Sequence, residues 1–230
     1  MFKVILWDVD GTLLNFKAAE KNAIKTLFGE FSIGVCTDEM IERYSKINEK
    51  YWKALERGEM SKPDVLRGRF AEWFASEGID FDRVDEFNSC YQIRLGDTIC
   101  FCDNAFELVS ELKGKIKQFA VTNGTIRAQE NKLRLSGLDK IFDEVFISDK
   151  IGIDKPNVEF FVPVFEKLSD VKKDEIIIVG DSLTSDMRGG NSVGIKCAWY
   201  NPDGKENDTD LKIDYVITNL NEIKDIIGLN

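Results

Sequence analysis

The chain has 230 residues, 43% of them hydrophobic and 31% charged, the balance of a globular protein with a large core and room for a second, smaller domain. Its 31 basic and 41 acidic side chains leave a net charge of −10. That charge, with no dense Lys/Arg block, argues against a nucleic-acid polymer or an anionic membrane as partner and leaves a small phosphorylated metabolite open. There is no histidine, which excludes Ser-His-Asp and Cys-His catalysis and histidine-ligated zinc and leaves acid–base work to carboxylates, lysine, tyrosine or cysteine.

The first predicted element is a short interior strand, Phe2 to Leu6, rich in apolar residues and stopped by Trp7-Asp8-Val9-Asp10-Gly11. Residues two apart on a strand share a face, so Asp8 and Asp10 can both point into the crevice at its carboxyl end. Two acids this close repel each other unless a cation, a shared proton or a division of labour relieves them. From residue 16 to about residue 95 the spacing is helical. Tyr44, Ile47, Tyr51, Trp52 and Leu55 fall on one face, and Leu66, Phe70, Trp73 and Phe74 on another. Pro63 fits the first turn of the second of these helices.

From about residue 96 strands and helices alternate. Strands are predicted at Ile116–Val121, Val145–Ile147, Ile176–Val179, Ile195–Tyr200 and Tyr215–Ile217. Helices are predicted at Arg127–Leu135, with Gly137 behind it, at Pro156–Leu168 and at Leu220–Ile227. Asn201 to Asp210 reads as a surface loop. The expected fold is α/β, a Rossmann-like, doubly wound and mainly parallel sheet formed by 1–15 and 96–230, with an all-helical cap inserted at 16–95. The five cysteines (Cys36, Cys90, Cys100, Cys102, Cys197) are scattered and odd in number, so reduced and mostly buried thiols are expected. No signal peptide or membrane-length apolar run is seen, so a cytoplasmic protein is expected.

Several strands end in polar clusters: Asp8 and Asp10, then Thr122 and Asn123, then Asp181, Ser182 and Asp186, while Lys155 precedes a helix. Carboxyl ends of a parallel sheet lie side by side, so these clusters converge on one crevice. Three acids, a lysine and small donors suit a phosphate together with a hard divalent cation such as magnesium. Singly, Thr122-Asn123-Gly124 is an ordinary turn signal and Lys155 a solvated lysine.

Taken in order, Asp8-Val9-Asp10-Gly11-Thr12, Thr122-Asn123, Lys155-Pro156 and Gly180-Asp181-Ser182-Leu183-Thr184-Ser185-Asp186 resemble the four motifs of the haloacid dehalogenase-like (HAD) superfamily. The resemblance implies that Asp8 is a nucleophile forming an aspartyl-phosphate and that Asp10 moves the proton. It implies Mg2+ held by Asp8, Asp181 and the Asp10 carbonyl, with Asp186 behind them. Thr122 and Asn123 would bind phosphate, and Lys155 would neutralise charge on Asp8 and the phosphoryl group. The second aspartate points to phosphoryl transfer over dehalogenation.

Within the cap, Asn48-Glu49-Lys50-Tyr51-Trp52, Gly58-Glu59-Met60 and Leu66-Arg67-Gly68-Arg69-Phe70 resemble the pyrimidine-nucleotide 5′-nucleotidase branch. Cys102-Asp103-Asn104-Ala105, in place of a proline-glycine turn, departs from it. The implied activity is a magnesium-dependent phosphatase acting on a small phosphate monoester, a nucleoside 5′-monophosphate first. The alternatives are a broad sugar-phosphate or phosphoglycolate phosphatase and a non-catalytic phosphate-binding module. Candidate substrate contacts are Asn15, Phe16, Asn48, Trp52 and Arg69. For the cap aromatics, packing between helices and stacking on a base both stay open. A monomer or homodimer is expected.

Overall fold

In the computed structural model, which describes residues 1–229, six parallel strands form one sheet in the order β3-β2-β1-β4-β5-β6. The strands are β1 (Val4–Trp7), β2 (Lys117–Thr122), β3 (Glu144–Ile147), β4 (Ile176–Gly180), β5 (Lys196–Tyr200) and β6 (Tyr215–Ile217). The chain moves outward from β1 to β2 and β3, then returns to β4 on the other side of β1 and continues to β6. That reversal between β1 and β4 is the topological switch point at which such sheets bind ligands.

The alternation along β1 explains its position. Ile5 and Trp7 join a core with Ala120, Ile177, Val179 and Ala198, whereas Val4 and Leu6 join a second core with Phe119, Val121, Ile176 and Ile178. Both faces of the sheet are therefore covered, and the strands read as continuous apolar runs for that reason.

Four helices stand between β1 and β2: α1 (Phe16–Glu30), α2 (Asp38–Glu56), α3 (Lys62–Ser76) and α4 (Val84–Leu95). Side-chain caps start three of them, from Asn15 to the Ala18 amide, from Thr37 to the Met40 amide and from Ser61 to the Asp64 amide. They bury a core of their own in which Tyr44 stacks on Phe70 at 4.9 Å and Trp73 lies against Phe28 and Tyr44. Tyr44, Phe70 and Trp73 are thus packing residues, and Tyr51 and Trp52 are half-buried.

The remaining helices are α5 (Ala105–Leu112), α6 (Ile126–Ser136), α7 (Ser148–Ile151), α8 (Val162–Glu166), α9 (Arg188–Val193) and α10 (Ile223–Ile227). The helix after strand β2 stops as expected, with Gly137 in the left-handed region at φ 76°. The single helix expected over Pro156–Leu168 is instead a 3₁₀ turn at Val158–Phe161 followed by the five-residue α8. Pro163 has no N–H to continue the ladder, so one element ends and another begins there. Likewise Leu220–Glu222 is a 3₁₀ turn leading into α10. Among the described residues no helix is long and apolar enough to cross a membrane.

The helical insertion contains a buried polar chain. Asn48 donates to Glu20 at 2.9 Å, Ser45 also donates to Glu20, and Arg69 donates to Asn48 at 2.7 Å and Asn88 at 3.2 Å. Burial pushes the Glu20 carboxyl up to about 7, against the opposing pull of Ser45 and Arg69. Between its ordinary value near 4.5 and about 7 the folded chain therefore holds a proton that the unfolded chain has lost. Stability contributed at this site is full at low pH and falls as pH rises through that window. Chemical denaturation at several pH values should show Glu20→Gln gaining on the parent by on the order of 2 kcal/mol between the acid and neutral ends. A difference that does not vary with pH would contradict this reading of Glu20.

Candidate active site

Asp8 lies one residue beyond β1, its amide bonded to the Val179 carbonyl of β4 at 2.9 Å. Its side chain is nearly buried and both oxygens are engaged. Lys155 Nζ donates to Oδ1 at 3.0 Å and the Thr12 hydroxyl to Oδ2 at 2.9 Å. Thr12, fully buried, also accepts the Asp181 amide at 3.1 Å, so it ties the first and last of the strand-end clusters together. Gly11, at φ 94°, is required here twice over, because a Cβ would also sit 2.6 Å from an Asp181 carboxylate oxygen.

Lys155 is 1% exposed and spends its three ammonium hydrogens on Asp8, on Asp186 Oδ1 at 2.6 Å and on the Val121 carbonyl at 2.7 Å. Asn123 holds the backbone of that lysine from both sides. Its Oδ1 accepts the Lys155 amide at 2.8 Å and its Nδ2 donates to the Lys155 carbonyl at 2.8 Å and to Ser185 at 3.2 Å. The Asn123 side chain is therefore a brace for Lys155, which leaves its backbone for an anion. Thr122 is buried at the end of β2, and its hydroxyl accepts the Gly124 amide at 3.3 Å. Asp186 sits in a π-helical turn, Leu183–Met187, and its Oδ2 accepts the Ser182 amide at 3.2 Å. Gly180 makes room for it, since a Cβ there would lie 2.2 Å from Asp186 Oδ2.

The residues expected to converge do so. Asp8, Asp181 and Asp186 each place a carboxylate oxygen within 4.8 Å of the others, a set that can hold a metal ion. Burial first, then Asp186, raises the Asp8 carboxyl to about 7, with Lys155 pulling the other way. Burial, then Asp8 and Asp186, raises Asp181 well above the usual carboxylate range. Burial alone would depress the Lys155 ammonium, but Asp186 and Asp8 reverse that and raise it. One ammonium does not balance three clustered acids, two of them buried, and a hard oxygen-seeking divalent cation fits this donor set on charge and on ligand type.

Asp10 lines a cavity of about 400 Å³ that also touches Asn15, Phe16, Lys17, Asp181, Tyr200 and Lys205. Asn15 and Phe16 thus lie at the site, Asn15 having its Oδ1 committed to the α1 cap. Asn48 and Arg69 do not: both are buried inside the helical insertion and bonded to each other. Trp52 is half-buried on α2 and is not among the cavity residues.

Three site neighbours escaped the sequence reading. Gln129 and Lys132 of α6 both reach Asp10, and Glu56, at the end of α2, accepts the Thr184 hydroxyl across the gap between insertion and core. The first two could have been found. The buried stripe of α6 is Ala128, Gln129, Lys132, Leu133 and Ser136, and two polar side chains in the middle of an apolar-facing stripe need a reason.

Residues 2–194 match the model of the haloacid dehalogenase-like hydrolase family. Over 228 residues the chain is 35% identical to the HAD-hydrolase YfnB of Bacillus subtilis, covering 99% of this chain and 96% of that one. A magnesium-bound crystal structure of YfnB superposes with a TM-score of 0.93 over 99% of both chains. The pyrimidine 5′-nucleotidase PynA of Streptococcus pneumoniae is 31% identical over 100% of this chain and 96% of its own. The pyrimidine 5′-nucleotidase YjjG of Escherichia coli is 24% identical over 97% and 96%. Fold, ordered motifs and full-length similarity agree, and the chain belongs to the haloacid dehalogenase-like hydrolase family.

Proposed function

We propose that the protein is a magnesium-dependent phosphatase that hydrolyses nucleoside 5′-monophosphates through an aspartyl-phosphate on Asp8. The observation that carries the chemistry is the placement of Asp8, with one oxygen on Lys155 and the other on Thr12, beside the oxygens of Asp181 and Asp186. The full-length similarity to two proteins named pyrimidine 5′-nucleotidases supports the substrate class.

Asp8, held at the end of β1, attacks phosphorus, and the bond from phosphorus to the leaving oxygen breaks. Asp10 gives its proton to that oxygen, releasing the alcohol. It then takes a proton from the water that attacks the aspartyl-phosphate, and inorganic phosphate and free Asp8 result. Lys155 lies against the nucleophile throughout and offsets the repulsion between an anionic carboxylate and an anionic phosphate. Asn123, itself bonded to Ser185, keeps the backbone of Lys155 in place. Thr122 and the Asn123 backbone are the phosphate-oxygen contacts at the end of β2. Asp8 and Asp181, with the Asp10 carbonyl, would hold magnesium, with Asp186 bracing Lys155 behind them. When bound, the ion would supply Lewis-acid stabilisation of the phosphoryl oxygens and favour the ionised form of Asp8.

Phosphate release should vanish on chelation with EDTA and return with magnesium. Asp8→Asn should lower turnover by about three orders of magnitude or more, with Asp8→Asn still folded by circular dichroism. Full activity in Asp8→Asn would overturn the mechanism. In a magnesium-containing panel, pyrimidine nucleoside 5′-monophosphates should give the highest kcat/KM. Higher values for sugar phosphates or phosphoglycolate would replace the substrate class while leaving the chemistry in place. Magnesium and phosphate binding without turnover of any monoester would reduce the site to a binding module.

A further inference from the structure

Gln129 and Lys132 lie one helical turn apart on α6, and each is 1% exposed. Lys132 Nζ forms an ion pair with Asp10 Oδ1, and Gln129 Nε2 donates to Asp10 Oδ2 at 2.5 Å. Both oxygens of one carboxylate are therefore gripped from one helix, while the Asp10 side chain stays 21% exposed to the cavity.

Each of these side chains is costly to bury for any other purpose. An ammonium removed from water needs a paired anion, and the anion facing Lys132 is Asp10, with the Phe16 ring 5.9 Å away. Gln129 Oε1 is buried without a partner, so its amide is held from the Asp10 side alone. The strand-end turn is shaped to admit that amide. A Cβ on Gly124 would lie 2.1 Å from Gln129 Nε2, so any larger residue after Thr122-Asn123 would push the amide off Asp10.

From this geometry we propose that Gln129 and Lys132 are positioning residues for proton transfer: they fix the plane and direction of the Asp10 carboxyl toward the leaving oxygen of the substrate. The proposal rests on Asp10 being the proton-moving group. A general acid works only within hydrogen-bond reach of the atom it serves, and small misplacements are expensive. Neither residue lines the cavity that Asp10 faces, so each acts through Asp10.

The test separates steps that need a proton from those that do not. In single-turnover experiments p-nitrophenyl phosphate loses a stable phenolate without protonation, whereas a nucleoside 5′-monophosphate must be protonated as it leaves. Lys132→Met and Gln129→Met should slow nucleoside release by about 10- to 100-fold and nitrophenolate release by no more than about 3-fold. Placed on Asp10→Ala, either substitution should cost less than about 2-fold more, because residues acting through one group are not additive. Equal losses with both substrates, or full additive losses on Asp10→Ala, would overturn the proposal. Should Lys132→Met fail to fold, Gln129→Met and Lys132→Arg, read by the same ratio, decide it. If Asp10→Ala by itself leaves nucleoside release unchanged, the role of Asp10 fails first and the positioning role falls with it.

Discussion

The site is organised around one buried ammonium. Lys155 is sealed from solvent and donates to the nucleophile, to Asp186 and to the carbonyl of Val121 at the end of β2. An isolated charge in such a place would be ruinous, and the two carboxylates would be equally costly without it. The three are admissible only together. That mutual dependence fixes the distance between the ends of β1 and β2 and the turn that follows β4. The Asn123 brace and Gly180 follow from the same requirement, the one fixing the Lys155 backbone and the other making room for Asp186.

The sheet supplies the convergence that sequence distance would forbid. Asp8, Thr122, Lys155 and Asp181 are spread across most of the chain, yet the order β2-β1-β4 brings the ends of three strands together at the switch point. Excess acid at that place has a chemical use. Burial and then Asp186 push the Asp8 carboxyl upward, and burial, then Asp8 and Asp186, push that of Asp181, so the protein alone is a poor host for their ionised forms. A divalent cation held there would reverse that penalty and couple metal binding to the readiness of the nucleophile.

Much of this was legible because strands and their ends obey short-range rules. Ile176-Ile177-Ile178-Val179 is apolar on both faces because helices cover both, and the polar residues gather where each strand leaves the core. What could not be read was which polar side chains turn inward from helices. Arg69 looks like a crevice residue by composition, but its position on α3, between Val65 and Trp73 on the buried stripe, sends it into the insertion, where Asn48 and Asn88 receive it. Lys132 looks like a solvated helical lysine until the partner, Asp10, is known to lie across from it, 122 residues away. Long-range pairing of charges leaves only a faint trace in sequence: a polar residue on an apolar stripe. The broken segment around Pro163 was visible in principle, since a proline seven residues into a presumed helix has no N–H to give.

The proposed mechanism requires Asp8 to become covalently phosphorylated. Rapid acid quenching of the enzyme during turnover of a nucleoside 5′-monophosphate with magnesium, followed by peptide mass mapping, tests it directly. A phosphoryl group should be found on Asp8, appearing and decaying as fast as phosphate is released. Phosphate release at full rate with no adduct on that residue, or with an adduct elsewhere, would contradict it.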